Sequence, residues 1–146
     1  LQAIHQLVYE LALYEKAPEE MTATIKEYEN DFKKGWFDAI IAEAENEVVG
    51  MALFYTTYST WKGRMIYLED FIVKETLRKK GIGQSLFEAL IVEADKLGAK
   101  LIKWQVLDWN EPAIRFYEAF GAEPQSEWIG YRLSGDALQT FADGTD

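Results

Sequence analysis

Apolar positions follow two rhythms along this chain. From Ile4 to Tyr14 they recur three and four residues apart, the spacing of an amphipathic helix, and a second helical pattern runs from about Thr22 to Lys34, where Gly35 stops it. Three stretches then read as strands, at about residues 36–44, 48–58 and 64–74, parted by Glu45-Asn46-Glu47 and by Trp61-Lys62-Gly63. Connections that short predict an antiparallel meander. Leu86, Phe87, Leu90, Ile91, Ala94 and Leu97 mark a helix over about 82–97 that ends at Gly98, and residues 100–107 read as the next strand. Such a strand–helix–strand unit is expected to be parallel and right-handed. Asn110 offers a cap, and Pro112 a first-turn proline, for a short helix holding Ile114, Phe116 and Tyr117 and stopping at Gly121. A last strand at about 126–133 and a short apolar tail to Phe141 complete the order. The pattern is mixed α/β with a largely antiparallel first half. No internal repeat or linker divides it, so residues 1–146 are expected to form a single domain.

The strand at 64–74 breaks its own rule. A run that apolar is buried on both faces, yet Glu69 and Asp70 stand in its middle. Such local conflicts tend to mark function. Adjacent residues of an extended strand point to opposite faces, so the two acids are not expected to form one paired-carboxylate site. One would face a cleft and the other the interior, where burial raises a carboxyl pKa unless donors satisfy it. A structural carboxylate that caps backbone or pairs with an arginine is the plainer alternative.

Directly afterwards, Lys74, Arg78, Lys79 and Lys80 gather ahead of Gly81 and Gly83, where the helix over 82–97 begins. The first N–H groups of a helix have no internal partner and lie at the positive end of its dipole. Phosphate or pyrophosphate can approach such a bare, glycine-lined backbone closely. The stretch is not a nucleoside-triphosphate loop, because no Lys-Ser or Lys-Thr follows. It also lacks the third glycine of a dinucleotide fingerprint, where Leu86 stands. A tight turn with solvated lysines is the competing reading.

Composition narrows the chemistry. Apolar residues at 49% and aromatics at 14% argue for a packed globule, and a domain near this size buries roughly 70% of its unfolded surface. No apolar run approaches the roughly 20 residues that span a bilayer, so no membrane partner is expected. Without a visible signal peptide the default setting is cytoplasmic. The absence of cysteine excludes disulfides, thiolate catalysis and cysteine-based zinc sites. His5, the single histidine, builds neither a triad nor a metal cluster alone and reads as a surface or packing residue; no metal is expected. The net charge of −10 repels nucleic-acid phosphates and favours cationic partners, although solubility is the plainer reading of it. Against 25 acids and 15 bases overall, residues 74–80 hold four bases and one acid, a positive island that suits an anion.

The segment from Asp108 to Tyr117 sets Tyr117 seven residues beyond Asn110, two helical turns apart, so both can face one groove. A phenol with a pKa of about 10 can donate a proton to a leaving thiolate; a half-buried tyrosine satisfied by backbone is the alternative. Tyr9, Tyr14, Tyr55, Tyr58 and Trp61 could wall a pocket for an alkyl amine by cation–π contact, or serve as core.

Three blocks, Tyr67-Leu68-Glu69-Asp70-Phe71, Arg78-x-x-Gly81-x-Gly83 and Trp109-Asn110-Glu111-Pro112 with Phe116-Tyr117, resemble the GNAT family of acetyl-coenzyme A dependent N-acetyltransferases, and more closely its spermidine/spermine (diamine) branch. The glycine turn is common to the superfamily, and the other two blocks are more specific. The resemblance runs from about Leu11 to the last strand. It implies an α/β fold with a mixed, mostly antiparallel sheet, flanked by helices and splayed between the family's fourth and fifth strands. The fourth corresponds to residues 67–74. The family's first strand precedes its first helix; it is expected to be missing or trimmed here, where the chain begins at Leu1.

By the same resemblance, Glu69 is expected to act as general base, through water, and Tyr117 as general acid to the coenzyme A thiolate. Asp70, Glu15 and Trp61 would bind the amine. Phe71, Ile72, Val73, Arg78, Lys79, Lys80, Gly81, Ile82, Gly83, Gln84, Asn110 and Tyr117 would line acetyl-coenzyme A, with Asn110 holding the pantetheine arm. Polyamine enzymes of this branch carry Asp-Pro before the tryptophan matching Trp61, whereas this chain has Ser59-Thr60. The expected acceptor is therefore a small cationic amine such as a polyamine, with thialysine or another small amine as the alternative. A protein N-acetyltransferase and a noncatalytic acyl-coenzyme A sensor are the competing classes. A homodimer is expected from the resemblance alone.

Overall fold

The computed structural model describes residues 1–78 and 80–144. Helix α1 spans Gln2–Tyr14 and, after a 3-10 turn at Pro18–Glu20, α2 spans Ile25–Lys33. The apolar pattern suggested a start near Thr22, but capping places it later. The Thr24 hydroxyl oxygen accepts the Glu27 N–H at 3.1 Å, so Thr24 is the cap and Ile25 the first helical residue. The strand meander follows as expected: β1 (Asp38–Ala44), β2 (Glu47–Ser59) and β3 (Gly63–Val73), antiparallel throughout. Glu45 and Asn46, at φ 51° and 67°, form the two-residue left-handed turn between β1 and β2. Helix α3 (Ile82–Lys96) leads to β4 (Ile102–Lys103), which lies parallel to β3 and completes a sheet of order β1-β2-β3-β4.

The strand read at 100–107 is reduced to these two residues. Pairing with β3 covers Ile66↔Ile102 and Tyr67↔Lys103 and then ends, although β3 itself runs on to Val73. The break coincides with a bulge. β2 pairs Leu53 with Asp70 but Phe54 with Leu68, leaving Glu69 as the extra residue of β3. A bulged strand bends and twists more strongly, which carries β3 away from β4 just past Tyr67. This is the splay of the mixed sheet.

The sheet is covered on both sides. On one face Ile4 and Leu7 of α1 pack with Met51, Leu53 and Ile72, with Leu11, Tyr28 and Phe37 around them. His5 is a packing residue there: its Nε2 lies 2.9 Å from the Ala23 carbonyl and its ring meets Tyr28 edge-on at 5.0 Å. On the other face α3 buries Leu86, Phe87, Leu90 and Ala94, and Phe87 stands edge-on to Phe71 at 5.7 Å and to Trp104 at 5.6 Å.

The chain divides into two compact units, residues 1–107 and 108–146. In the second, α4 (Glu111–Ala119) forms where its cap and proline predicted it, with Asn110 Oδ1 accepting the Ala113 N–H at 3.4 Å. The strand expected at 126–133 does not form. An alternating pattern specifies which face side chains take, but a strand exists only where its backbone finds a ladder, and none is present there among the described residues. Trp128, Ile129 and Tyr131 are left exposed. The apolar tail forms a helix, α5 (Gly135–Ala142).

Candidate active site

The bulge overturns the expectation that Glu69 and Asp70 face opposite ways. Tyr67 pairs with Tyr55 and Asp70 with Leu53, and residues 53 and 55 of β2 share a face by alternation. One extra residue in β3 therefore puts Tyr67 and Asp70 on a common face although three positions separate them. Glu69 joins them, since its Oε2 accepts the Tyr55 hydroxyl at 2.9 Å. This is the α1/α2 side of the sheet, where Ile72 is buried and Leu53 packs.

Charge then accumulates there. The Asp70 carboxyl is pushed up to about 7, first by burial and then by the negative charges of Glu69 and Glu15. Glu15, the residue that ends α1, is half-buried, and its pKa is raised by burial. Three tyrosines border the acids. Tyr55 and Tyr67 stack at 5.5 Å with 23° between their planes. Tyr28 of α2 is held protonated by burial and by the charges of Asp70 and Glu69; Tyr55 is raised further, by burial and by its hydrogen bond to Glu69. Tyr67 is raised by burial and by Glu69. The result is an acidic face bordered by neutral phenols, suited to an alkylammonium ion by charge and by ring contact.

At the far end of β3 the chain turns into α3. Gly81 caps that helix at φ 80°, a left-handed conformation that favours glycine. No side chain caps the helix among the described residues, no acid occupies its first turn, and a Cβ at Gly81 would meet nothing within 4 Å. The first-turn amides are thus suited to a phosphate or diphosphate group. A cavity of about 320 Å³ lies beside this turn, between residues 40–43 of β1 and Lys80, Gly81, Ile82 and Ser85. Arg78 does not point freely at an anion: its Nε–H donates to the Val73 carbonyl at 3.1 Å, and its guanidinium lies 5.3 Å from the centre of the Tyr14 ring.

The other candidate residues divide by location. Ile72 and Val73 are buried, so only their backbone can serve a ligand, and Ile72 is a core residue. Phe71 packs on Phe87, and the Gln84 amide donates to Glu88 at 2.9 Å. Trp61 stands in the β2–β3 turn, 83% exposed. Lys79 lies outside the described residues. In the second unit, Tyr117 is half-buried with its ring edge-on to Phe116 at 5.5 Å, and Asn110 uses its side-chain oxygen as the α4 cap. Sequence reasoning missed Tyr28 and Tyr67 as site residues. A helical tyrosine and a strand tyrosine look like core until the bulge sets the face; for Tyr67 its place two residues before Glu69 was the available signal, and for Tyr28 there was none.

Among the described residues, no cluster of His, Asp or Glu is arranged to hold a metal ion, and no helix is long and apolar enough to cross a membrane. Residues 1–122 match the acetyltransferase (GNAT) family. The chain is 36% identical to a thialysine N-epsilon-acetyltransferase of Bos taurus over 95% of this chain and 89% of that protein. It is 30% identical to a spermidine/spermine N(1)-acetyltransferase-like protein 1 of Homo sapiens, over 89% of this chain and 20% of that longer protein. Among solved structures, an integron cassette protein from the mobile metagenome of V. cholerae superposes with a TM-score of 0.78 at 24% identity, over 96% of this chain and 90% of that one, a likeness of fold.

Proposed function

The chain belongs to the acetyltransferase (GNAT) family and is an N-acetyltransferase, and from that premise we propose that its acceptor is a small, cationic primary amine of the thialysine or polyamine kind. The observation that carries this reading is the gathering of Glu15, Glu69 and Asp70 on one tyrosine-walled face. Three acids attract an ammonium ion, and the phenols bind its charge and alkyl stem without competing as cations. The relatives named for thialysine favour that acceptor over a polyamine, as does Ser59-Thr60 before Trp61.

Acetyl-coenzyme A supplies the acyl group as cosubstrate, with its diphosphate at the Gly81 turn. An alkylammonium of pKa about 10.4 is not nucleophilic until it loses a proton. In our reading Glu69 accepts that proton through water, and the free amine attacks the thioester directly within a ternary complex. Tyr117 returns a proton to the departing thiolate and Asn110 holds the pantetheine arm; both roles are carried over from the resemblance. Residues 1–146 would act as a single domain in a cytoplasmic homodimer.

Thiol release from acetyl-coenzyme A, measured with thialysine, spermidine and a lysine peptide in parallel, tests the proposal. Turnover with thialysine, weaker with spermidine and negligible with the peptide, is the expected result. Preference for the peptide, or coenzyme binding without release for any amine, would replace it with the protein-acetylating or the sensing class.

A further inference from the structure

Glu69 is an exposed side chain on the extra residue of a bulge, with no ladder partner opposite it. Left to itself such a carboxylate samples several rotamers, whereas a general base must stay within about 3 Å of the proton it takes. One contact removes that freedom: the Tyr55 hydroxyl donates to Oε2 at 2.9 Å. We propose that Tyr55 is a positioning residue for catalysis, holding Glu69 by one carboxylate oxygen so that the other is presented to the acceptor amine or its water. This rests on the reading of Glu69 as the base.

The surroundings suit Tyr55 to that task. It lies directly across from Tyr67 in the β2–β3 ladder, and the two rings stack at 5.5 Å, which fixes the direction of the hydroxyl. Burial and the Glu69 charge keep the phenol protonated, so it remains a donor at every pH at which the enzyme works. The other titratable groups on this face are Tyr67 and Asp70 of β3, Tyr28 of α2, and His5 and Glu15 on α1 and at its end, with Arg78 over the Tyr14 ring; none of them forms an ion pair with Glu69 among the described residues. Tyr55 is the group placed to stabilise the ionised form of Glu69. Without it the carboxylate is free to turn away from the amine, and a donor that favours its charged form is gone.

The test is the pH dependence of kcat/KM for the amine in wild type, Tyr55→Phe, Glu69→Gln and the double variant. Phenylalanine keeps the ring and its stacking, so the fold is retained, which a thermal melt checks. Tyr55→Phe is expected to shift the acidic limb upward by roughly half a unit to one unit, the size of a partly exposed charge-assisted hydrogen bond. The resulting several-fold loss at neutral pH should recover in alkali, with KM for acetyl-coenzyme A unchanged. In the Glu69→Gln background the same substitution should alter the rate by less than about twofold, because coupled residues are not additive. Leu7→Ala, which loosens the packing of the same sheet face without touching that bond, should leave the limb in place and so separates positioning from packing. If Tyr55→Phe retains the wild-type limb while Glu69→Gln abolishes it, the positioning role is wrong and the base stands. If Glu69→Gln retains the limb, the base assignment fails and takes the role of Tyr55 with it. Equal losses in both backgrounds would also overturn the proposal.

Discussion

Asp70 offers the most direct thermodynamic test of the site, because the fold holds its carboxyl where ionisation is disfavoured. Burial, Glu69 and Glu15 raise its pKa from 3.8 to about 7. At about 1.36 kcal/mol per unit, that displacement sets a ceiling of about 4 kcal/mol on the cost of the charged form, and partial solvation reduces the expected figure to about 1–3 kcal/mol. The native state keeps the proton to higher pH than the unfolded chain does. The contribution of Asp70 is therefore fully present below the unfolded value of 3.8 and is lost as pH rises to about 7. Asp70→Asn cannot ionise and should escape this loss. The variant and the wild type should melt within a degree or two of one another near pH 4. Their separation should then widen in favour of the variant up to about pH 8, reaching several degrees at about 2–4 °C per kcal/mol for a chain of this size. Thermal melts from pH 4 to pH 8.5 at constant ionic strength measure it. Parallel melting curves, or a variant less stable than wild type at pH 8, would refute the electrostatic reasoning.

Three further outcomes follow from the same geometry. Tyr117→Phe should lower kcat by about 10²-fold or more, in the range of lost acid catalysis, with acetyl-coenzyme A affinity by calorimetry little changed. Gly81→Ala should cost about 1–2 kcal/mol in urea unfolding through its left-handed φ of 80°, and should raise KM for acetyl-coenzyme A more than KM for the amine. Leu7→Ala, at a position only 1% exposed between α1 and the sheet, should cost about 2–5 kcal/mol by the same unfolding assay while leaving the pH profile of turnover in place.

Much of the architecture was readable from local chemistry. The β1–β2–β3 meander follows from alternation broken by Glu45-Asn46 and by Trp61-Lys62-Gly63, and α4 follows from Asn110 with Pro112. The turn itself was also legible, because glycine at Gly81 and Gly83 marks the start of the apolar helix, and Gly81 does cap it at a left-handed φ of 80°. Where prediction failed, the missing quantity was a partner. Residues 100–107 were apolar enough for a strand, but only Ile102 and Lys103 pair before β3 bends away. Residues 126–133 alternate without a ladder, and the tail beyond them closes its hydrogen bonds within α5.

By itself, the order of residues determined the succession of helices and strands in the first half, the glycine turn at the start of α3 and the identity of the acids, since each depends on chemistry within a few positions along the chain. Only the tertiary structure decided which way those acids point. A register shift of one residue between Leu53 and Phe54 brings Glu69 and Asp70 to the same side of the sheet, beneath Glu15 and against Tyr55. That shift belongs to the pairing of two strands, a long-range property with no signature in either strand alone.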